Sequence, residues 1–257
     1  MVALRHTVVL APVPRPWLAD AVAVLLDLAE STRAEAGRLV LRDGRTVPDV
    51  RLAEGRHLRP GAVYESTGDG DVEAGEPVRI TVGEWNRRRA LRLALAVSAP
   101  DAGAAVRGTL HRPDRPRLVE IGGRARVENV WSPLSRVSGG ARLRCDDWWA
   151  AADTGRSART APLRARAECG AARAELRVVP APGRLDGRWD VTVTVRLRGR
   201  RLYRPVAAVA LRLARSRLQR SLAGALDELA ARWNTELPRL VAMGPDALRE
   251  AVLTTGT

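Results

Sequence analysis

The chain lacks lysine and phenylalanine, and its 257 residues include only two isoleucines, two tyrosines and three asparagines. Without lysine there is no P-loop lysine, no Schiff base to pyridoxal phosphate and no attachment site for biotin or lipoate. The missing and scarce residues have A- or T-rich codons, a bias typical of very GC-rich genomes such as those of actinobacteria. Composition alone therefore excludes several large enzyme classes.

Cysteine and long apolar runs are also scarce. Cys145 and Cys169 make no disulfide framework, and we expect two reduced, buried thiols on neighbouring strands of a cytoplasmic protein. Prolines interrupt the apolar start of the chain, so we expect neither a signal peptide nor a transmembrane segment. The three histidines are isolated in the sequence, and we expect no metal and no cofactor.

All 43 basic residues are arginines, and with 29 acidic residues they give a formal net charge of +14. Residues 1–80 hold 10 arginines and 12 acidic residues, whereas residues 81–257 hold 33 and 17, so the second segment carries the whole excess. Arginine here also takes over the solubilising role of lysine. The high charge is therefore weak evidence for a nucleic-acid partner.

Hydrophobic periodicity predicts an α+β fold, in which a curved antiparallel sheet packs on a long C-terminal helix and an N-terminal helix precedes the sheet. Helical spacing extends from Pro16 to about Gly37. It returns over residues 206–237, about 50 Å of helix, with Pro238 as a kink. Between residues 38 and 200 apolar residues alternate with polar ones, which indicates antiparallel strands with one solvated face.

We interpret residues 1–257 as a single domain, with a subdivision near 99–117 left open and a short helix and tail at 244–257. Glycine-, proline- and serine-rich stretches predict loops between the strands. The predicted loops are at 65–76, 99–103, 111–117, 132–140, 153–160 and 180–187, and the last has the position of a hairpin connection.

Small inward side chains on two adjacent predicted strands face a helix with a leucine stripe. Such a surface leaves room for an apolar ligand, and tight packing of the helix on the sheet is the alternative. The segment Cys145-Asp146-Asp147-Trp148-Trp149 places two carboxylates beside two indoles, either at a packed strand end or in a ligand cavity. The candidate ligand-binding residues are Ala165, Ala167, Ala174, Trp148, Trp149, Trp189, Leu222, Leu226 and Trp233.

Arginines alternate with the apolar residues of the same strands and therefore share the opposite face of the sheet. This face either binds a polyanion or is simply solvated. The candidate polyanion-binding residues are Arg164, Arg166, Arg177, Arg196 and Arg198.

Residues 188–240 combine a strand, a basic turn, Arg204-Pro205 and a long leucine-striped helix. This order resembles the C-terminal part of START-like helix-grip proteins, the superfamily of polyketide cyclases and lipid carriers. The resemblance implies a first strand, helices, a curved antiparallel sheet and a final helix over a ligand cavity. The chain is longer than one such domain, and other helix-wrapped sheets such as lipid-binding tubular folds stay open.

Two functions follow as hypotheses. The first is binding of a small hydrophobic molecule, lipid or polyketide-like, between sheet and C-terminal helix. Whether cyclase-like turnover accompanies binding is left open, and its acid or base groups would come from Asp146, Asp147, Tyr203 or water. The second is a non-enzymatic module that binds nucleic acid, an anionic membrane surface or an acidic protein through the arginine face.

Overall fold

Thirteen strands form one antiparallel sheet in the computed structural model, which describes residues 1–66, 78–99, 101–127, 133, 135–155, 160–184, 187–200 and 203–254. The expected α+β fold with an N-terminal helix and a long C-terminal helix is confirmed. The strands are β1 (Val2–Leu10), β2 (Arg33–Glu35), β3 (Arg38–Val40), β4 (Thr46–Glu54), β5 (Val63–Ser66), β6 (Val78–Asn86), β7 (Ala90–Ala99), β8 (Ala102–His111), β9 (Leu118–Val127), β10 (Arg136–Arg144), β11 (Leu163–Glu168), β12 (Ala172–Pro182) and β13 (Trp189–Gly199). The helices are α1 (Arg15–Ser31), α2 (Cys145–Thr154), α3 (Arg204–Leu213), α4 (Arg215–Ala242) and α5 (Pro245–Thr254).

The first strand lies at one edge of the sheet beside β13, and the order then runs back through the chain to β2 at the other edge. The chain therefore leaves β1 at one edge and must reach β2 at the opposite one. Helix α1, with 17 residues and a length of about 25 Å, makes this crossing. Just before α1, the Val13 carbonyl oxygen accepts a hydrogen bond from Trp149 of α2. Near the C-terminal end of α1, Asp27 and Glu30 bind Arg87 in the β6–β7 turn.

Helix α1 is shorter than expected, because it ends at Ser31 rather than near Gly37. The next residues form the β2–β3 hairpin, whose two-residue connection is Ala36–Gly37. Both residues have positive φ angles, 47° and 82°. Two successive positive φ angles are typical of a type I′ hairpin turn, and a right-handed helix does not accommodate them.

The single helix predicted over residues 206–237 is two helices. Helix α3 ends at Leu213 and α4 begins at Arg215, and Ala214 between them has a ψ of −1°. Helix α4 then continues through Pro238 for 28 residues, about 42 Å. Because of the break, α3 packs on β13 while α4 packs on β1.

The segment from Cys145 to Trp149 starts helix α2 and is not a strand end. Carboxylates in the first helical turn interact favourably with the helix dipole, so Asp146 and Asp147 favour this start. Cys169 lies in the turn after β11. The two cysteines are therefore not on neighbouring strands, and both are free thiols.

Of the loops predicted at 65–76, 132–140 and 180–187, the structure describes the last two over most of their length. The hairpin predicted at 180–187 connects β12 to β13, although β12 extends to Pro182. The loop predicted at 132–140 is wrong from Arg136 onward, where β10 begins. The loop predicted at 65–76 lies outside the described residues from position 67 onward.

Buried side chains gather at the two ends of the sheet's apolar face. One core lies on β1, β12 and β13 under α2 and α4, and it includes Val8, Trp149 and Trp189. A smaller core lies on β3 to β6 and includes Leu39 and Val82. On the strands between them, apolar side chains are less covered, and Ile121 is 47% exposed.

Strands β9 and β10 meet at two glycine pairs, Gly122 opposite Gly140 and Gly123 opposite Gly139. A Cβ atom on Gly139 would lie 2.6 Å from the Arg166 carbonyl oxygen, far inside van der Waals contact. A Cβ atom on Gly122 would meet nothing closer than 3.9 Å. Glycine at position 139 therefore permits the close approach of β10 and β11, and glycine at 122 leaves the sheet surface open.

Gly139→Ala is expected to lower the free energy of unfolding by about 1 to 3 kcal/mol, because the methyl group forces β10 away from β11. Gly122→Ala is the matched control and should change it by less than about 0.5 kcal/mol. Urea denaturation of both variants measures the difference. Equal stability of the two variants would contradict the claim that β10 and β11 approach too closely at Gly139 for a side chain.

Candidate functional site

An apolar cavity of about 600 Å³ lies between the sheet and the helices at the β1 edge. Helix α4 packs on β1 and α2 packs on β12, whereas β13 runs between these two strands. The cavity occupies the space over β13 that the two helices leave between them. Its volume is within the usual range of small-molecule sites, about 300 to 1,000 Å³.

Every second residue of β13 contributes to the floor of this cavity. Trp189, Val191 and Val193 point to the helices, while the residues between them belong to the opposite face. Neighbouring strands add side chains in the same register, including Leu163 of β11 and Val178 of β12. Apart from Trp189, the floor is aliphatic, because the alternating pattern of these strands is aliphatic on this side.

Four of the seven tryptophans of the chain line the cavity: Trp148, Trp149, Trp189 and Trp233. The indole N–H of Trp149 donates to the Val13 carbonyl oxygen at 2.9 Å, and that of Trp233 donates to the Ala11 carbonyl oxygen at 2.9 Å. Trp148 and Trp189 meet edge to face, with ring centroids 6.1 Å apart. The polar N–H groups of Trp149 and Trp233 are thus satisfied by the β1–α1 connection, and apolar ring surface remains for a ligand.

The cavity is open on the side of α4. Leu229 and Trp233, one helical turn apart, both line it and are 61% and 38% exposed to solvent. These two adjacent apolar side chains continue the lining of the cavity onto the surface of the protein. We therefore regard the gap beside these two residues as its mouth.

The structure brings together five of the nine candidate ligand-binding residues. Trp148, Trp149, Trp189, Leu226 and Trp233 line the cavity. The other four, Ala165, Ala167, Ala174 and Leu222, are described but do not line it. On the sheet, Ala167 pairs with Ala174, and Ala174 with Leu197 close to the end of β13.

The sequence predicted the cavity over the small side chains of two adjacent strands, and the observed cavity does not lie there. The cavity lies over leucines and valines, and it results from the separate docking of α2 and α4 rather than from a row of alanines. Sequence reasoning also missed Val8 and Leu10 of β1, although their alternation was visible. Val13 and Leu18, which complete the wall, carry no sequence signal that distinguishes them.

Asp146 and Asp147 do not line the cavity, although α2 holds them next to it. Asp146 binds the guanidinium of Arg15, which also lies 5.6 Å from the centre of the Trp149 ring. Asp147 is 3.5 Å from Arg144. Both carboxylates are therefore ion-paired, and Tyr203, the third candidate acid or base, also lies outside the lining.

Cys145 is the ionisable residue that does line the cavity in the described part of the chain. Burial, together with the negative charge of Asp146, raises the pKa of its thiol to about 11. At neutral pH the group is therefore protonated, and it behaves as a small apolar side chain.

The histidines have protein partners. His6 contacts Asp227 at 2.7 Å, His57 contacts the Tyr64 hydroxyl at 2.8 Å, and His111 contacts Glu120 at 3.0 Å. No group of three or more metal-ligating side chains converges within the described ranges. None of the helices described here combines the length and apolar character needed to cross a membrane.

The five candidate polyanion-binding arginines share the face of the sheet opposite the cavity. Arg164, Arg166 and Arg177 line a surface groove of about 730 Å³ on β8 to β12. Arg196 and Arg198 lie on the same face of β13 and outside the groove.

Comparison of the sequence with models of known protein families found no matching family, and comparison with curated proteins found no match.

Proposed function

We propose that this protein binds a small hydrophobic molecule, lipid or polyketide-like, in the cavity over β13. The observation that carries the proposal is the cavity itself, about 600 Å³ of space with tryptophan and aliphatic walls and an open mouth at Leu229 and Trp233. An apolar molecule that enters it leaves water and covers apolar protein surface at once, which gives the driving force for binding.

The order of elements supports this proposal. A first strand, a helix, a large antiparallel sheet and the long helix α4 follow one another along the chain, and α4 lies beside the cavity. This is the order implied by the resemblance of residues 188–240 to START-like helix-grip proteins. The proposal adopts their ligand class, an apolar molecule held between sheet and helix, and carries over no catalytic residue.

The chemistry of the lining favours binding or transport over turnover. General acid–base catalysis requires a group within hydrogen-bond reach of the reacting atom and with a pKa near the working pH. In the described lining the only ionisable candidate is Cys145, whose pKa is raised to about 11. We therefore place this protein among ligand carriers or sequestering proteins.

A neutral dye, N-phenyl-1-naphthylamine, tests the proposal without engaging the arginine face. We expect saturable binding with one site per chain and a micromolar dissociation constant. Tryptophan emission should fall as the dye emission rises, since four indoles surround the site. Dye fluorescence that increases linearly with protein concentration and never saturates would overturn the proposal.

A further inference from the structure

The groove on the opposite face of the sheet has a floor without side chains. Gly122 of β9 and Gly140 of β10 lie side by side in its centre. In the same row of the sheet, Arg107 of β8 borders them on one side and Arg166 of β11 on the other. Three strand spacings of about 4.8 Å place the two arginine backbones about 14 Å apart. Their long side chains can therefore both reach a small group above the glycines.

A second row carries like charges side by side. Arg142 of β10 is directly opposite Arg164 of β11, and Arg164 is directly opposite Arg177 of β12. Cβ atoms of such cross-strand pairs are about 4.5 to 5.5 Å apart, and like charges in this arrangement destabilise a sheet. The register thus places three arginines side by side in one row, and two of them, Arg164 and Arg177, pair with no carboxylate among the described residues.

The glutamates of the groove compensate only part of this charge: Glu120 pairs with Arg142 at one end of the row, and the other glutamates are bonded to arginines outside the row. Glu120 pairs with Arg142 and His111. Glu168 is 3.6 Å from Arg200. Glu175 is directly opposite Arg166 in the sheet, but its carboxylate contacts Arg173 and Arg198 instead, at 3.5 Å and 3.6 Å. Four arginines that line the groove form no ion pair with a carboxylate among the described residues: Arg107, Arg164, Arg166 and Arg177.

From these observations we infer that the groove binds the phosphate groups of an anionic ligand. Guanidinium groups match the oxygens of a phosphate with two parallel hydrogen bonds, and several uncompensated arginines favour an anion with more than one charge. The glycine floor lets such a group approach the sheet between the arginines. The described lining of the groove contains no aromatic side chain for base stacking, which argues against a single-stranded nucleic acid.

Calorimetry with inorganic pyrophosphate is the primary test. Arg166→Ala should weaken binding at least tenfold, since it removes a charge-assisted contact. Gly122→Val should weaken it to a similar extent, because its side chain fills the floor without changing any charge. Arg217→Ala, on the exposed side of α4, removes the same charge elsewhere and should change the affinity by less than twofold.

Arg164→Ala provides a readout that does not depend on ligand. It should raise the melting temperature, because it relieves repulsion from Arg177, the neighbour in the row that pairs with no carboxylate among the described residues, while pyrophosphate binding falls. A site kept for binding at the expense of stability has this signature. A lower melting temperature of Arg164→Ala would contradict the claim that Arg164 is repelled by its neighbours in the row.

Two further probes identify the source of the phosphate. If vesicles of phosphatidylcholine with phosphatidic acid bind and pyrophosphate competes, the phosphate belongs to a lipid head group. If pyrophosphate alone binds, the ligand is a free phosphate compound. The inference is overturned if pyrophosphate does not bind at low salt, or if Arg217→Ala weakens it as much as Arg166→Ala. Binding of an oligothymidylate that Gly122→Val leaves unchanged would overturn it in favour of a nucleic-acid surface.

Discussion

Replacement of Leu163 by tryptophan is expected to weaken binding of N-phenyl-1-naphthylamine at least tenfold while the protein stays folded. Leu163 lies in the floor of the cavity on β11, and its side chain is only partly buried. The larger indole would extend into space that a ligand needs. Tenfold weaker binding corresponds to about 1.4 kcal/mol, which is at the lower end of the penalty for overfilling an apolar site.

A control for this variant lies on the same strand. Ala167 faces the same side of the sheet, is exposed and does not line the cavity. Ala167→Trp should therefore bind the dye with unchanged affinity, and thermal melting of both variants should stay within a few degrees of the parent. Equal loss of binding in the two variants would place the ligand along the alanine row, as the sequence suggested. Unchanged binding in both would exclude the cavity.

Much of the fold was predictable because alternation and helical spacing are local signals. The run from Trp189 to Leu197 predicts β13, and the structure shows that strand with the expected face buried. Local signals failed where a few backbone angles decide the outcome. The positive φ angles at Ala36 and Gly37 end the N-terminal helix region in a hairpin, and no hydrophobic pattern encodes them.

The cavity was less predictable than the elements around it. The leucine stripe of the C-terminal helix led to Leu222, Leu226 and Trp233, of which Leu226 and Trp233 line the cavity from α4. Which sheet residues face them depends on where α4 docks, and the helix lies on β1 rather than over the alanines of β11 and β12. The position of α4 on the sheet is fixed by contacts between residues far apart in the sequence, such as the hydrogen bond from Gln219 to the Arg5 carbonyl oxygen. A single sequence does not reveal such contacts.

The same limit applies to the arginine face. Alternation placed Arg164, Arg166 and Arg177 on one side of the sheet, and the structure places them there. Whether an arginine is neutralised depends on its cross-strand neighbours, and therefore on the register of several strands. The glycine floor also required this register, because Gly122 and Gly140 are 18 positions apart in the sequence but adjacent across β9 and β10.

Asn234→Leu is expected to lower the free energy of unfolding by about 2 to 3 kcal/mol, because the Asn234 amide closes the free edge of β1. Its carbonyl oxygen accepts from the Ala11 N–H at 2.6 Å, and its N–H donates to the Val9 carbonyl oxygen at 2.8 Å. Leucine has a similar volume and offers neither bond, so the part-buried Ala11 N–H loses its partner. The melting temperature should fall by about 5 to 10 °C.

The same variant should make the protein prone to association. A strand at a sheet edge exposes unpaired N–H and C=O groups, which another chain can pair with. In this protein the side chains of α4 cover that edge, since Gln219 also accepts from the Arg5 N–H and donates to its carbonyl oxygen. Light scattering during heating should therefore begin earlier for Asn234→Leu than its lower stability alone predicts.

Thr235→Ala tests whether the loss of stability in Asn234→Leu comes from the edge of β1 or from helix α4 itself. Thr235 is the next residue of α4, and its hydroxyl bonds only within the helix, to the Ala231 carbonyl oxygen. Its replacement should change the free energy of unfolding by less than about 0.5 kcal/mol and leave association unchanged. If Thr235→Ala destabilises the protein as much as Asn234→Leu does, the loss comes from changes within this turn of α4 and not from the contact with the edge of β1. If only Asn234→Leu melts early and associates, the Asn234 amide of the parent protein satisfies the backbone groups at the free edge of β1, as a neighbouring strand would.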